Sequence, residues 1–348
     1  MLPFDNKSEF QVIVDLPAGS PVEKTAAVLH DMGAYLATVN EVTDYQAYAG
    51  TAAPINFNGL VRQYYLRADA EQGDLQVNLV DKHQRTRKSH DIANSVRPTL
   101  EKIAKTHGAN VKVVEVPPGP PVMSPLVAEI YGADEAGRAN IAKSVRQVFE
   151  KNPDIVAIDD SLRATAPQNR LLIDQNKAMT LGVTPQAIAE TLNLGLSGVD
   201  TTMLMAEGAK YGVPIRLTLP DSQKSNLDDL LKLTVKSNDG ALINLSDVIQ
   251  IKAEHIDPIL YHKDLLPVTY VVADMAGQLD SPLYGLFAMR EAIQQLKLPY
   301  GATLQEYFIN QPSDPYRQYA LKWDGESQIT YETFRDMGIA YGVGLVLI

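Results

Sequence analysis

The chain contains no cysteine. That excludes a disulfide framework and any thiolate nucleophile or ligand. It is compatible with an oxidising compartment and with the cytoplasm alike. A basic excess is also missing: 31 Lys and Arg face 42 Asp and Glu, a net charge of −11. An acidic chain is a poor partner for nucleic acid or an anionic membrane surface. The N-terminal stretch "MLPFDNKSEFQVIVDLPAG" has no basic segment leading into an apolar run, so no signal peptide is visible. Catalytic signatures are absent as well. There is no Walker loop, no G-x-G-x-x-G after a strand, no H-E-x-x-H and no G-x-S-x-G. No convergent acid–base pair stands out, which counts against a hydrolase or transferase. No apolar run reaches the roughly 20 residues needed to span a bilayer. Met337 to Ile348 is uncharged but only about half that length. Two readings fit it: a buried terminal element, or the first half of a transmembrane helix.

What is present is an ordinary globular composition, 45% hydrophobic and 21% charged over 348 residues, enough for two to four domains at about 100–200 residues each. The first part reads β-α-β-β-α-β. "EFQVIVDLP" is a strand, and Pro21 opens a helix with Val22, Ala26, Leu29, Met32 and Leu36 on one face. "VTDYQAYAG" and "DLQVNLVDK" are strands. A helix capped by Ser89 carries Ile92, Val96, Leu100 and Ile103 on one stripe, and "ANVKVVEV" closes the unit. "PPGPP", residues 117–121, is a stiff linker. The pattern then restarts: strand "SPLVAEIYG", a helix over 135–151 with Ile141, Val145, Val148 and Phe149 inward, and strand "DIVAIDDSL". Its second half returns near residue 265 as strand "LPVTYVVADM", a helix over 282–296 with Leu283, Leu286, Phe287 and Ile293 inward, and strand "LQEYFIN". An inserted domain must separate the halves. Within it, "RLLIDQNKAMTLGVTPQAIAETLN" reads as strand, turn at Gly182, and a helix capped by Thr184 with Pro185 first. "VPIRLTLP" is a strand, and "NDG" turns a hairpin into "ALINLSDVIQIKAEH". The expected fold class is α+β: two tandem ferredoxin-like split βαβ units, the second interrupted by a small α+β domain.

Candidate ligand positions are few. His83 and His90 flank the basic run "KHQRTRK", which reads first as a solvated turn. Asp159 and Asp160 at a strand end could hold a cation, but lack further carboxylates nearby. Met203 and Met205 are spaced as thioether ligands, yet methionine more often fills apolar gaps. No metal or cofactor is assigned. The most informative stretch is "YAGTAAPINFNGLVRQYYLRADAEQG", residues 48–73. It is too long for a tight strand connection. It reads either as a covering helix burying Leu60, Val61 and Tyr64, or as an apolar lining of a ligand cleft.

Three stretches in this order, "EFQVIVDLPAGSPVEKTAAVL", "IDQNKAMTLGVTPQAIAETLN" and "LINLSDVIQIK", resemble the large periplasmic loop of resistance-nodulation-division (RND) efflux transporters of the acriflavine-resistance type. The second carries the family's D-x-x-K-A-x-x-x-G-V-T/S pattern at Asp174, Lys177, Ala178, Gly182, Val183 and Thr184. The likeness runs over essentially the whole chain. It implies a first porter subdomain at 7–118, a second at 122–168 plus 264–325, an inserted docking domain at 169–263, and the start of a transmembrane helix at 332–348. Only about 20 residues separate the helix ending near Asn193 from the strand at Val213, short for the hairpin arm of the family's first loop, so the second loop is expected. The resemblance further implies a non-enzyme: the periplasmic part of a proton-driven antiporter in the inner membrane of a Gram-negative bacterium. Its full form is a homotrimer working with a membrane-fusion (adaptor) protein and an outer-membrane channel. Small apolar or amphiphilic compounds, drugs among them, are the expected substrates. Tyr48, Phe57, Leu60 and Tyr64 are the expected cleft-lining residues, at the position of the family's Gly-rich switch loop. This chain has Gly50 and Gly59 there but no dense glycine run. Alternatives are an RND exporter of metal ions or lipids, and a free periplasmic binding or adaptor protein.

Overall fold

A computed structural model of the chain describes residues 6–347 apart from 117–121, 163–164, 225, 258, 277–280, 297 and 299–301. The proline-rich linker reading falls on 117–121, outside the described residues. The chain divides into two compact units. One takes in everything up to Thr165 and again from Asp257, and the other is Ala166–Ile256.

The first unit opens with β1 (Glu9–Asp15), α1 (Val22–Leu36), β2 (Val42–Ala49), the short α2 (Phe57–Val61), a 3-10 turn at Tyr64–Leu66, β3 (Gln72–Leu79), α3 (Ser89–His107) and β4 (Asn110–Val114). The four strands form one antiparallel sheet in the order β2-β3-β1-β4. Strand β1 is buried over Phe10–Val14 because it lies between β3 and β4. Phe10, Val12 and Val14 face a core shared with Leu75, Val77, Val113 and both long helices. Helix α1 buries Thr25, Val28, Leu29, Met32 and Leu36, a stripe rotated from the expected one; Val22 and Ala26 are exposed. Helix α3 starts at Ser89 itself, with Lys88 as its cap, so the expected capping serine is one position inside the helix.

A second sheet continues the same unit. It begins with β5 (Leu126–Tyr131), α4 (Glu135–Glu150) and β6 (Ile155–Asp160). After the inserted unit it resumes at β13, as follows. Ala166–Ile256 holds β7 (Pro167–Ile173), α5 (Gln175–Thr180), α6 (Pro185–Leu196), β8 (Val199–Leu204), β9 (Val213–Leu217), α7 (Asp221–Lys224), α8 (Leu227–Leu231), β10 (Thr234–Lys236), β11 (Leu242–Asn244), α9 (Leu245–Val248) and β12 (Ile249–His255). Strands β7 and β12, its first and last, pair antiparallel over their full length, so the insert closes on itself. Thr184 caps α6, its hydroxyl accepting the Ala187 N–H at 3.2 Å. The core is small: Ala178, Val183, Ile188, Leu231, Val235, Leu245, Val248 and Ile249. Strand β9 is the expected strand in "VPIRLTLP", and it pairs with β8, absent from the sequence reading, as an exposed hairpin.

Back in the first unit come β13 (Tyr261–Lys263), β14 (Leu266–Met275), α10 (Pro282–Gln294), β15 (Gln305–Tyr307), β16 (Ala320–Asp324) and α11 (Glu326–Leu347). The sheet runs β13-β14-β5-β16-β15, with β6 also on β14. The place beside β5 belongs to β16, not to "LQEYFIN"; that stretch supplies only the three-residue β15, parallel to β16. Helices α4 and α10 cover one face through Ile141, Val145, Phe149, Leu286, Met289 and Ile293. Phe287, expected inward, is exposed. The only tryptophan, Trp323, is fully buried in this core. Gly325, at φ +80, turns the chain into α11, and a Cβ there would sit 2.3 Å from the Ser124 carbonyl oxygen. Helix α11 starts before residue 332 and leaves Phe334, Ile339, Tyr341, Leu345 and Val346 exposed. Among the described residues no helix is long and apolar enough to cross a membrane.

Candidate functional site

The back of the first sheet carries charge where its front carries core. The register sets Ile13 opposite Lys112 and Asp15 opposite Asn110. Gln11, Ile13, Asp15 and Lys112 therefore share the face away from the helices. Lys112 is buried, and its Nζ meets Asp15 Oδ2 at 3.3 Å and, more closely, Asp159 at the end of β6. Burial alone would lower the Lys112 pKa; Asp159 and Asp15 outweigh it and raise it above the usual lysine value. Asp159 points this way because β6 is irregular. Ala157 adopts φ 51, and the pairing with β14 shifts register beside it. Such a bulge re-aims the residues that follow. Asp160 is sent elsewhere, to Arg146 Nη1 at 2.6 Å.

The segment between β2 and β3 is pinned onto this face. Asn56 caps α2, its Oδ1 accepting the Gly59 N–H at 2.6 Å while Nδ2 donates to Gln76 at 3.0 Å. Arg62 leaves the end of α2 and reaches Asp274 on β14, Nη1 to Oδ1 at 3.2 Å. Asp274 also accepts from Ser124 Oγ at 3.0 Å. Burial would lower the Arg62 pKa, but Asp274 raises it further. Arg67 follows the 3-10 turn and has four partners, the weakest the Gly73 carbonyl at 3.4 Å. It donates to Asp15 at 2.7 Å, to Asp74 at 2.9 Å and to the Val14 carbonyl at 2.9 Å. Asp74 accepts the Ala53 N–H through its other oxygen. Burial raises the Asp74 pKa despite Arg67. The Asp15 pKa ends lower than usual, because Lys112 and Arg67 together outweigh burial.

Beneath this strap lies a groove of about 380 Å³. Its walls come from both sheets and the strap: Asp15 and Lys112 from the first sheet, Tyr64 and Arg67 from the strap, Asp159, Tyr261 and Tyr270 from the second sheet. Of the four expected lining residues, Tyr64 lies in it, half-buried, with the Arg67 guanidinium 5.9 Å from its ring centre. Tyr48 sits on β2, its hydroxyl donating to Gln46 at 2.7 Å, away from the groove. Phe57 and Leu60 are 45% and 62% exposed on α2 and do not line it. The covering-helix reading also changes, since Leu60 is not buried. The groove is a mixed surface of tyrosine faces and paired charges, able to hold an aromatic or amphiphilic body beside polar groups that are already matched. Sequence reading passed over Arg62, Arg67, Lys112 and Asp274. Lys112 within "ANVKVVEV" and Asp274 within "LPVTYVVADM" were the signals, since a charge inside a buried apolar run requires a partner.

The other candidates have protein partners or none. His90 Nδ1 lies 2.7 Å from Glu115. Met203 and Met205 are exposed on and beside β8. Among the described residues no group of three or more His, Asp or Glu could hold a metal ion.

Residues 1–310 match the AcrB/AcrD/AcrF family. An uncharacterized transporter of Haemophilus influenzae is 25% identical over 181 residues, 51% of this chain and 17% of that protein. The swarming motility protein SwrC of Bacillus subtilis is 25% identical over 170 residues, 49% of this chain and 15% of that protein. The chain thus spans about a sixth of the length of these curated relatives. Two crystal forms of a heavy metal efflux pump share the fold with TM-scores of 0.72 and 0.69, at 16% and 17% identity. Each likeness covers 99% of this chain, and 34% and 33% of the respective pump chain.

Proposed function

The chain belongs to the AcrB/AcrD/AcrF family of transporters, and on that premise we propose that it is the periplasmic substrate-capture and docking part of an RND efflux pump. Residues 7–118 form one porter subdomain, 122–168 with 264–325 the other, both ferredoxin-like, and 169–263 the docking domain. Helix α11, which carries the proposed membrane-entry stretch from residue 332 onward, leads toward the inner membrane of a Gram-negative bacterium. The whole pump is a homotrimeric, proton-driven antiporter that meets a membrane-fusion protein and an outer-membrane channel. The short connection between β8 and β9 fits the second of the family's two loops. The observation that carries the reading is the groove whose walls come from two separate sheets. Two sheets can part and close as bodies, which is what a capture step needs.

The substrates are amphiphilic or apolar compounds, including drugs. Tyrosine faces supply area, and directional polar groups, the usual source of selectivity, are already occupied by one another. The likeness to a heavy metal efflux pump raises metal ions as a second reading. The donors here argue against it: the chain has no cysteine, one methionine (Met123) lines the groove, and Asp15 and Asp159 are held by Lys112. The test is made in the full transporter. Tyr64→Ala alters resistance to some amphiphilic drugs and spares others, and Phe57→Ala does the same if α2 closes over the bound compound. Uniform loss for every compound, or no change for any, refutes the capture role.

A further inference from the structure

The basic run "KHQRTRK" joins β3 to α3, and the capture groove makes no use of it. The loop is built around Arg85. Its Nε donates to the Val80 carbonyl at 3.0 Å and its Nη1 to the Arg87 carbonyl at 2.5 Å. Its Nη2 donates to Asn6 Oδ1 at 2.7 Å and to the Lys7 carbonyl at 2.5 Å. All four acceptors are neutral, so the guanidinium fixes the loop against the start of β1 and leaves its charge unmatched. Residues 82–88 hold four cations and no acid. Arg87 pairs with Glu41 at 2.6 Å. Lys82 and Lys88 are exposed and form no ion pair among the described residues. The other two carboxylates that touch the loop are turned to its backbone: Asp81 accepts the His83 N–H at 2.9 Å, and Asp91 the Lys88 N–H at 3.3 Å. The patch is therefore net positive in a chain of net charge −11.

The topology puts this patch beside the root of α11. Strand β1 runs antiparallel to β3 and β4, so the start of β1 and the ends of β3 and β4 meet at one end of the first sheet. The basic loop leaves from that end. So does the first turn of α3, where His90 Nδ1 lies 2.7 Å from Glu115, just past β4. His90 and Glu115 share a small cavity with Pro125, and the Pro125 carbonyl accepts the N–H of Ser327, in the first turn of α11, at 3.1 Å. From Thr333 onward nearly every residue of α11 is exposed, so the helix leaves the unit at the end where the patch sits. Between Ser327 and Asp336, the last charged residue, the helix rises by about 14 Å. A lysine side chain together with a Debye length of about 10 Å covers that distance.

We propose that the 82–88 loop is a contact site for the headgroups of anionic phospholipids, with Lys82 and Lys88 meeting the bilayer surface beside α11. The proposal rests on the reading of α11 as the helix that leads to the membrane. An acidic chain is repelled by such a surface as a whole, so a local cationic patch at the membrane end decides which face can approach. Co-sedimentation of the 348-residue chain with phosphatidylcholine vesicles, with and without about 30% phosphatidylglycerol, tests it. The apolar part of α11 gives a baseline common to both vesicles, and the patch adds the difference. At about 0.1 M salt the anionic vesicles bind about tenfold tighter, and at about 0.5 M the preference falls below about threefold. Lys82→Glu with Lys88→Glu removes the preference, with Trp323 fluorescence verifying the fold. Lys82→Arg with Lys88→Arg keeps it. Lys210→Glu with Lys236→Glu makes the same charge change on exposed lysines of the insert and stays within about threefold of the parent. A preference that survives Lys82→Glu with Lys88→Glu, or is lost equally in the insert variant, overturns the proposal. So does its abolition by inorganic phosphate at constant ionic strength, which marks a small-anion site. Equal binding to both vesicles overturns the lipid contact and leaves the membrane-entry reading of α11 standing. Binding to neither overturns both.

Discussion

Replacing Arg62 by methionine removes the cation that joins the β2–β3 strap to β14. The side chains of Arg62 and Asp274 are 7% and 12% exposed, so water screens the pair little. Deleting one member of a buried pair costs about 3–5 kcal/mol, most of it the penalty of the charge left behind. Here Asp274 keeps the Ser124 hydroxyl at 3.0 Å and the field of Arg97, which places the cost near the lower end, about 3 kcal/mol. With a urea slope of about 2–3 kcal/mol/M, that moves the unfolding midpoint down by about 1–1.5 M. Trp323 is the assay. It is the sole tryptophan and lies in the core of the second sheet, so its fluorescence reports the first unit and is blind to the insert. The companion variant is Arg62→Met with Asp274→Leu. It removes both charges, and Ser124 retains the Ala273 carbonyl at 2.8 Å. The double variant should recover to within about 1 kcal/mol of the parent, because a well-packed apolar pair often matches a buried ionic one. A single-variant cost under about 0.5 kcal/mol, or a double variant as unstable as the sum of its parts, refutes the reasoning.

Three further outcomes follow from other parts of the chain. Gly33→Ala on α1 places a Cβ 2.4 Å from the Tyr45 ring, so the ring must move; a loss of about 1–3 kcal/mol in the same urea assay is expected, relieved in part by Tyr45→Leu. Asp15 has a folded-state pKa below its ordinary 3.8, so its contribution is present above that value and is lost as pH falls through the folded-state pKa. Asp15→Asn should therefore lower stability at neutral pH and lose its disadvantage below about pH 4, read by urea titration across that range. Thr184→Ala removes the cap of α6 and should cost the insert about 1 kcal/mol, visible as faster hydrogen exchange over 185–196 with no change in Trp323 fluorescence.

The sequence showed most where one face of an element is wet and the other dry. The stripes of α3 and α4 stood out because the apolar residues recur at helical spacing and the rest are charged. The Thr184–Pro185 start of α6 was readable because the cap and the proline act locally. Strand β16 escaped because "ALKWD" is short and buries Lys322 beside Trp323, so charge broke the apolar pattern. Strand β8 escaped for the opposite reason: both of its faces are exposed, and no alternation marks it. At the groove, Tyr64 was singled out because aromatic residues in a long connection are conspicuous. Arg62 was not, since its partner lies 212 residues away and no local pattern announces such a pair.

The charged junction also bears on how the two sheets would part in the proposed capture step. An apolar seam loses contact gradually as it opens, in proportion to the area exposed. Paired charges behave otherwise. Lys112 between Asp15 and Asp159, and Arg62 on Asp274, gain from each other only while close and dry. Once a gap admits water, each ion recovers its hydration and the attraction collapses. Intermediate separations, too wide for a hydrogen bond and too narrow for full hydration, are the costliest. The seam is therefore stable when shut and tolerable when flooded, with a barrier between. That form of bistability suits the capture role proposed for the groove, and it depends on the pairs themselves rather than on the tyrosines that line the cavity.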